Sequence, residues 1–337
     1  MAKKFKLTKN FYKFEHLYGS YTDIFGKVTL SKVFAGPVYS GLIDIKLKKN
    51  YHFKSLQDRL NIYPKEISSP LSDWFEYIGV SCHNSHHSVT NAFQANRIYC
   101  ERMEKQISLI KSSNIGDQIY GLPRKNINLK VTNSYLPLNG FNNFFDTIKM
   151  NQNISVKLGS KIQPILKEKK LCLSNKNEIM CPKLVIWTAN PTQLFKTVFD
   201  ERLDSVKHYN ENLCGYLDSK VEFPFYIQVF SRKTKILRIY IYNIDNKGCF
   251  TIEKSLDNTS DKEIIDTSQD ILSNFNSYKI SKNFIRKKSI RYFVYSVRDY
   301  ELIKYYQNNN ISNLVFTDFL SYGRNDKIKS LIDKSII

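Results

Sequence analysis

Leu184-Val185-Ile186-Trp187 is an unbroken apolar run that stops at Thr188-Ala189-Asn190-Pro191. A continuous run of this kind fits a strand covered on both faces, as in an open α/β sheet, and not the alternating pattern of a half-solvated strand. In open α/β sheets ligands gather beyond the carboxyl ends of the strands. A polar turn closed by proline at that end therefore marks where a binding site is expected.

The rest of the chain is ample for such a sheet. Its 337 residues, 42% hydrophobic and 14% aromatic, can fill the cores of two domains or of one large α/β unit. No run approaches the roughly 20 apolar residues of a membrane span, and the charged start lacks the apolar centre of a signal peptide, so the expectation is a cytoplasmic protein with no membrane span. Six cysteines (Cys82, Cys100, Cys172, Cys181, Cys214, Cys249) show no C-x-x-C spacing. They fit reduced, buried thiols better than a disulfide frame or a zinc site. The net charge of +20 comes from basic residues spread through every segment. Dispersed lysine reads as solvated surface, which argues against nucleic acid as partner, while an anionic small-molecule substrate such as a nucleotide sugar would be served by the same charge.

Periodicity organises the chain. Residues 91–112 place Phe93, Ile98, Met103, Ile107 and Ile110 at near-helical spacing, and 140–150 place Phe141, Phe144, Phe145 and Ile148 on one side of a short helix that opens at Gly140. From 153 to 187 the period shortens to strands: 153–159 alternates, and 160–182 reads as a hairpin turning at Ser174-Asn175-Lys176-Asn177. The segment after Pro191 is helical. Residues 221–256 read as an antiparallel meander, and Ser260 followed by Glu263 gives a capping-box spacing ahead of a periodic helix. Strand-like pieces follow at 289–297 and 311–320.

This order, with its residues, resembles the flavin-dependent amine oxidase and UDP-galactopyranose mutase superfamily. Pro137, Gly140 and Phe144 match its Pro-x-x-Gly-x-x-x-Phe stretch; Ile162-Gln163-Pro164-Ile165, the hairpin at 167–181 and Pro182 to Pro191 match the strand, hairpin and Val-Ile-x-Thr-x-Pro that follow. Near the end, a strand, a spacer, Gly323-Arg324 and a closing helix resemble the mutase-like pattern. The resemblance implies a mixed α+β chain with an incomplete Rossmann-like FAD-binding domain at 140–200 and 305–337, with 1–30 as a weaker part. A substrate domain built on an antiparallel sheet would then hold 31–139 and 201–304. It further implies FAD held by Ile162, Thr188, Gly323, Arg324 and Asn325, with His16 in a loop that runs toward the flavin and Arg298 near a substrate-facing strand. A glycine there lets the backbone approach a diphosphate, and an arginine neutralises it.

One part of the family pattern is missing. The twelve glycines include no G-x-G-x-x-G, and no acidic residue follows at the spacing that holds a ribose. The expectations are therefore a truncated chain, a chain completed by another, or one that binds FAD weakly or not at all. The non-enzymatic alternatives are a remnant that binds a partner and a basic nucleic-acid binder. No G-x-S-x-G, P-loop or H-E-x-x-H is present, so no hydrolase, NTPase or zincin reading is anchored. Cys82, His83, His86 and His87 cluster within residues 81–88, a spacing that matches no standard metal pattern and reads as a polar loop.

Overall fold

The computed structural model describes residues 11–14, 16–25, 28–31, 36–43, 52–95, 98–103, 134–137, 140–151, 155–156, 161–175, 178–275, 278–307 and 311–316. Its strands are β1 (Phe11–Phe14), β2 (Leu17–Thr22), β3 (Thr29–Ser31), β4 (Val38–Ile43), β5 (Tyr99–Met103), β6 (Ser134–Pro137), β7 (Gln163–Lys167), β8 (Lys170–Asn175), β9 (Glu178–Met180), β10 (Val185–Trp187), β11 (Val206–Leu217), β12 (Phe225–Phe230), β13 (Ile236–Ile244), β14 (Lys247–Ser255), β15 (Ile280–Val294) and β16 (Leu314–Phe316). The helices are α1 (Leu56–Leu60), α2 (Lys65–Tyr77), α3 (Val89–Ala92), α4 (Gly140–Asn151), α5 (Pro191–Val198), α6 (Asp261–Ser273) and α7 (Val297–Tyr306). Among the described residues no helix is long and apolar enough to cross a membrane.

The largest layer is a seven-stranded sheet in the order β15-β11-β14-β13-β12-β2-β3. The expected meander forms its centre, β12 to β14, and β11 and β15 extend it in antiparallel sense. β2 joins parallel to β12, with Leu17 opposite Phe225 and Thr22 opposite Phe230. Residues 13–21, expected as a loop, are thus largely strand, because alternate Leu17, Gly19 and Tyr21 suit a pleated surface beside Ile227 and Val229.

Each face of this sheet is buried by helices. On one side α6 sets Ile264, Ile265, Ile271 and Leu272 against Leu213, Ile227, Ile239 and Ile252. Its amino end is capped by Ser260, whose hydroxyl accepts from the Glu263 amide, as the spacing predicts. On the other side α1 and α2, which no motif announced, pack Leu56, Leu60, Ile67, Leu71, Trp74 and Phe75 against Phe230 and Leu237. The i, i+4, i+7, i+8 placement of Ile67, Leu71, Trp74 and Phe75 makes one apolar stripe.

A third core belongs to the segments around the apolar run. Leu171, Val185, Leu194, Phe195, Leu203, Tyr295, Ile303, Leu314 and Phe316 pack together. Here β10 runs parallel to β16, with Val185, Ile186 and Trp187 opposite Leu314, Val315 and Phe316. Asn313, 4% exposed, ties this unit together. Its carboxamide accepts from the Leu171 amide at 2.7 Å and donates to the carbonyls of Leu171 and Pro182 at 2.9 and 2.8 Å, while its own carbonyl accepts from the Val185 amide at 2.7 Å.

Several expectations are corrected. The helix expected over 91–112 ends at Ala92, because Gln94 takes a left-handed conformation (φ 58°) and 99–103 pairs with β4 as a parallel strand; residues 104–112 lie outside the described part. The expected hairpin turning at 174–177 is the β8–β9 pair, and β7 adds a third strand ahead of it: Glu168 and Lys169, both at positive φ, make a turn that carries no Gly, Asn or Asp to mark it. Cys172 and Cys181 form a disulfide and are not free thiols. The β8–β9 register, Leu173 opposite Met180, sets these two cysteines directly across from one another. Of 153–159 only Ser155 and Val156 are described, and neither is in a strand. The spacer before β16 contains α7, opened by a capping box between Ser296 and Asp299. Finally, β10 is covered on one face only, Val185 being 7% and Ile186 45% exposed.

Replacing Asn313 by alanine strands the buried Leu171 amide and two carbonyls, and should cost about 3 kcal/mol in urea unfolding. In a Trp74→Phe background, Trp187 emission should shift at a lower urea concentration than in the parent. An unchanged midpoint would mean that the carboxamide carries no such role.

Candidate functional site

The polar turn after β10 is, first, a strand-to-helix junction. Asn190 is the N-cap of α5: its side-chain oxygen accepts from the Thr192 amide at 2.7 Å, and Pro191 occupies the first helical position, where no amide is needed. The Asn190 carbonyl accepts from Trp187 Nε1 at 3.3 Å, which fixes the indole beside the turn. Local capping chemistry alone thus accounts for the residue types Asn and Pro.

The same turn opens on a crevice of about 810 Å³. One wall is β10 and α5, contributing Ile186, Trp187, Thr188, Thr192 and Lys196; the other is the β11–β15 edge, contributing Lys207, Ile290 and Phe293. Ile162, just ahead of β7, completes it. Ile290 and Phe293 are three residues apart and in a regular strand would point to opposite faces. A register shift between His208 and Tyr209, where Tyr209 meets Ile290 and His208 meets Tyr292, inserts one residue into β15 and brings both side chains to this wall. The volume lies within the range of small-molecule sites, and apolar walls with a few polar tips are their usual construction.

Charge in the crevice is one-signed. Lys196 and Lys207 are exposed, and among the described lining residues none is acidic. Neither lysine stands in an ion pair among the described residues, in contrast to Arg298, paired with Asp204 at 3.0 Å and Glu201 at 3.7 Å, and Arg232, paired with Asp73 at 2.8 Å.

The residues singled out by sequence separate into groups. Ile162 and Thr188 meet in the crevice. Gly323, Arg324 and Asn325 lie outside the described residues, although β16, which leads toward them, ends beside β10 and points the same way. His16 is elsewhere. It precedes Leu17, which is level with Phe225, Ile241, Phe250 and Gly215 across the sheet. That row is eight residues along β11 from Lys207 and four strands away from it, roughly 27 Å along and roughly 19 Å across. His16 packs edge-on against Tyr18 at 4.4 Å, and burial lowers its imidazole pKa.

Arg298 sits in the first turn of α7, not on a strand. Its guanidinium is taken by Asp204, Glu201 and the Arg202 carbonyl. The neighbouring Asp299, fully buried, accepts from the Asp204 amide at 2.7 Å and from the Ser296 amide at 3.1 Å. Together they hold the 201–204 segment that leads into Ser205 and Lys207 of the crevice wall. Lys196 and Lys207 escaped the sequence reading because nothing distinguishes them among 51 basic residues.

The Cys/His cluster is a buried junction and not a solvated loop. His86 and His87 are 3% and 8% exposed; His86 stacks on Tyr300 of α7 at 3.8 Å and its Nδ1 meets the Ser88 hydroxyl at 2.9 Å. The Cys82 thiol donates to the Ser72 carbonyl, and burial pushes its pKa up to about 11. Among the described residues no group of three or more His, Cys, Asp or Glu is placed to hold a metal ion.

No protein-family model matches the chain, and no curated protein matches it by sequence. Solved structures do. A double mutant from a structure-based redesign of cofactor binding in putrescine oxidase is 10% identical, with a TM-score of 0.52, over 96% of this chain and 81% of that one. A triple mutant of the same enzyme gives 10% and 0.50 over the same shares. A protoporphyrinogen oxidase-type protein from Exiguobacterium sp. 255-15 is 11% identical with a TM-score of 0.46; the match covers 60% of this chain, which spans about half, 52%, of that one. At such identities the likeness establishes the fold: the chain has the mixed α/β fold of putrescine oxidase.

Burial holds the His86 pKa down to about 3 and that of His87 to about 4, so both are neutral in the folded chain. Unfolding returns them to about 6.5 and takes up protons. Their stabilising neutral state is fully present above pH 6.5 and is lost as pH falls toward 4 and 3. Lowering the pH from 7.5 to 5.5 should therefore cost on the order of 2 kcal/mol in urea unfolding. His86→Gln should remove about half of that slope; an unchanged slope would place the proton uptake elsewhere.

Proposed function

We propose that this chain is a flavin-oxidase-like oxidoreductase whose FAD lies in the crevice between α5 and the β11–β15 edge. The observation that carries the reading is the strand-to-helix turn after β10: it opens on an 810 Å³ crevice that gathers Ile162 and Thr188, within a fold similar to putrescine oxidase over 96% of the chain. The crevice residues fit such a group. Trp187, Ile186, Ile290 and Phe293 offer apolar faces to a flat ring, Thr188 and Thr192 offer hydroxyls, and the two lysines offer positive charge to an anion.

In this reading 140–200 and 305–337 form the cofactor unit, which shares the third core with Leu203, Tyr295 and Ile303, and Gly323, Arg324 and Asn325 complete the site after β16. The substrate domain is 31–139 and 201–304, and the substrate is a small molecule. Bound flavin would supply hydride acceptance; the chain's own residues would orient the reactants and exclude water. A chain without the glycine-rich turn also suits a non-catalytic relative that keeps the fold and binds a partner.

Titration of the purified protein into FAD should quench flavin fluorescence saturably, and any flavin that co-purifies should wash out on dialysis. Absence of quenching up to about 1 mM protein-accessible FAD, a dissociation constant worth only about 4 kcal/mol, would end the flavin reading in favour of the non-catalytic one.

A further inference from the structure

We infer that Lys196 and Lys207 form the anion-holding pair of the crevice, taking the diphosphate bridge of the dinucleotide where the chain has no glycine-rich turn to cradle it. This rests on the flavin reading and adds to it the residues that do the electrostatic work.

Three observations carry the assignment. The lysines come from opposite walls, Lys196 from the second turn of α5 and Lys207 from β11, so an anion seated between the walls is bracketed by them. Among the described residues neither has an acidic partner and no acidic side chain lines the crevice, so their charge is not spent internally. The amino end of α5 is partly engaged: the Asn190 side chain occupies the Thr192 amide, and Pro191 has none. Among the described lining residues none is a glycine that would let a backbone approach a phosphate closely, and the positive charge they offer is that of these two lysines.

Side-chain ammonium groups in an open crevice are screened by salt, unlike a fixed nest of buried amides. That difference gives the test. Binding of FAD and of riboflavin, which has the ring and lacks the diphosphate, is measured by fluorescence quenching at low and high salt. The full chain is compared with the K196A/K207A and K196R/K207R variants, with circular dichroism confirming that each is folded. FAD should bind the parent about tenfold more tightly than riboflavin at low salt, and the advantage should shrink at high salt. It should vanish in the alanine variant and persist in the arginine variant. Equal affinity for FAD and riboflavin in the parent, or an alanine variant with an undiminished preference for FAD, would overturn the assignment and leave the flavin reading standing. Failure of both flavins to bind the parent would remove that reading and the assignment with it.

Discussion

The Asn313 carboxamide satisfies backbone groups on both flanks of the Cys172–Cys181 disulfide, Leu171 before it and Pro182 after it, while the Asn313 backbone carbonyl takes the Val185 amide. Both flanks of the disulfide are thereby locked to a residue 142 positions from Leu171 at one buried point. The position of β10 against β16 follows from this lock, and so does the direction of the turn that leaves β10. A β10–β16 pair only three residues long has too few ladder bonds to fix its own register. A buried side chain with all its groups satisfied is costly to break, because each stranded group loses its solvation as well as its partner.

Given that frame, the nature of the crevice is decided by what its positive charge is made of. Backbone amides in a glycine turn are fixed before any ligand arrives and cost no side-chain ordering. Lysines must be immobilised, at up to about 2 kcal/mol of lost rotamer freedom each. At a few ångströms in a partly solvated crevice an ammonium–phosphate contact returns on the order of 1 to 4 kcal/mol. The balance is small. A lysine-held dinucleotide is therefore an exchangeable one, in contrast to a cofactor enclosed by amides.

Much of this arrangement was legible from residues. The apolar run with its Asn-Pro ending, the helix at Gly140, the meander, and the Ser260 cap each depend on interactions between near neighbours in sequence, and each formed. The sites that misled were those where distant pairing overrode a local pattern. Residues 99–103 had helical spacing but found a parallel partner in β4, and Leu17 to Tyr21, expected in a loop on the family resemblance, pair with β12. The disulfide follows from the β8–β9 register, in which Asn175 pairs with Glu178, and a search for C-x-x-C spacing does not reveal it. Ile162 and Thr188 were found through a motif; the lysines, the bulge that turns Ile290 and Phe293 together, and Asn313 become visible only once strands have partners.

The α5–β10 wall belongs to the third core, and the β11–β15 wall belongs to the large sheet and meets that core through Phe293. Residues 199–205 make the connection, starting from Asp200 in a left-handed conformation (φ 54°) that aspartate tolerates. Among the contacts that hold this connection, the Arg298–Asp204 ion pair has both side chains 54% exposed and is worth little. The Asp299 carboxylate, fully buried and charge-assisted in its bond to the Asp204 amide, is the stronger. It also caps α7, which packs Ile303 and Tyr306 into the same core as α5. One carboxylate therefore couples the end of the β15 wall to the end of the α5 wall. The segment between α5 and β11 is thus anchored at Asp299, and the Arg298 charge, neutralised by its own neighbours, plays a supporting part.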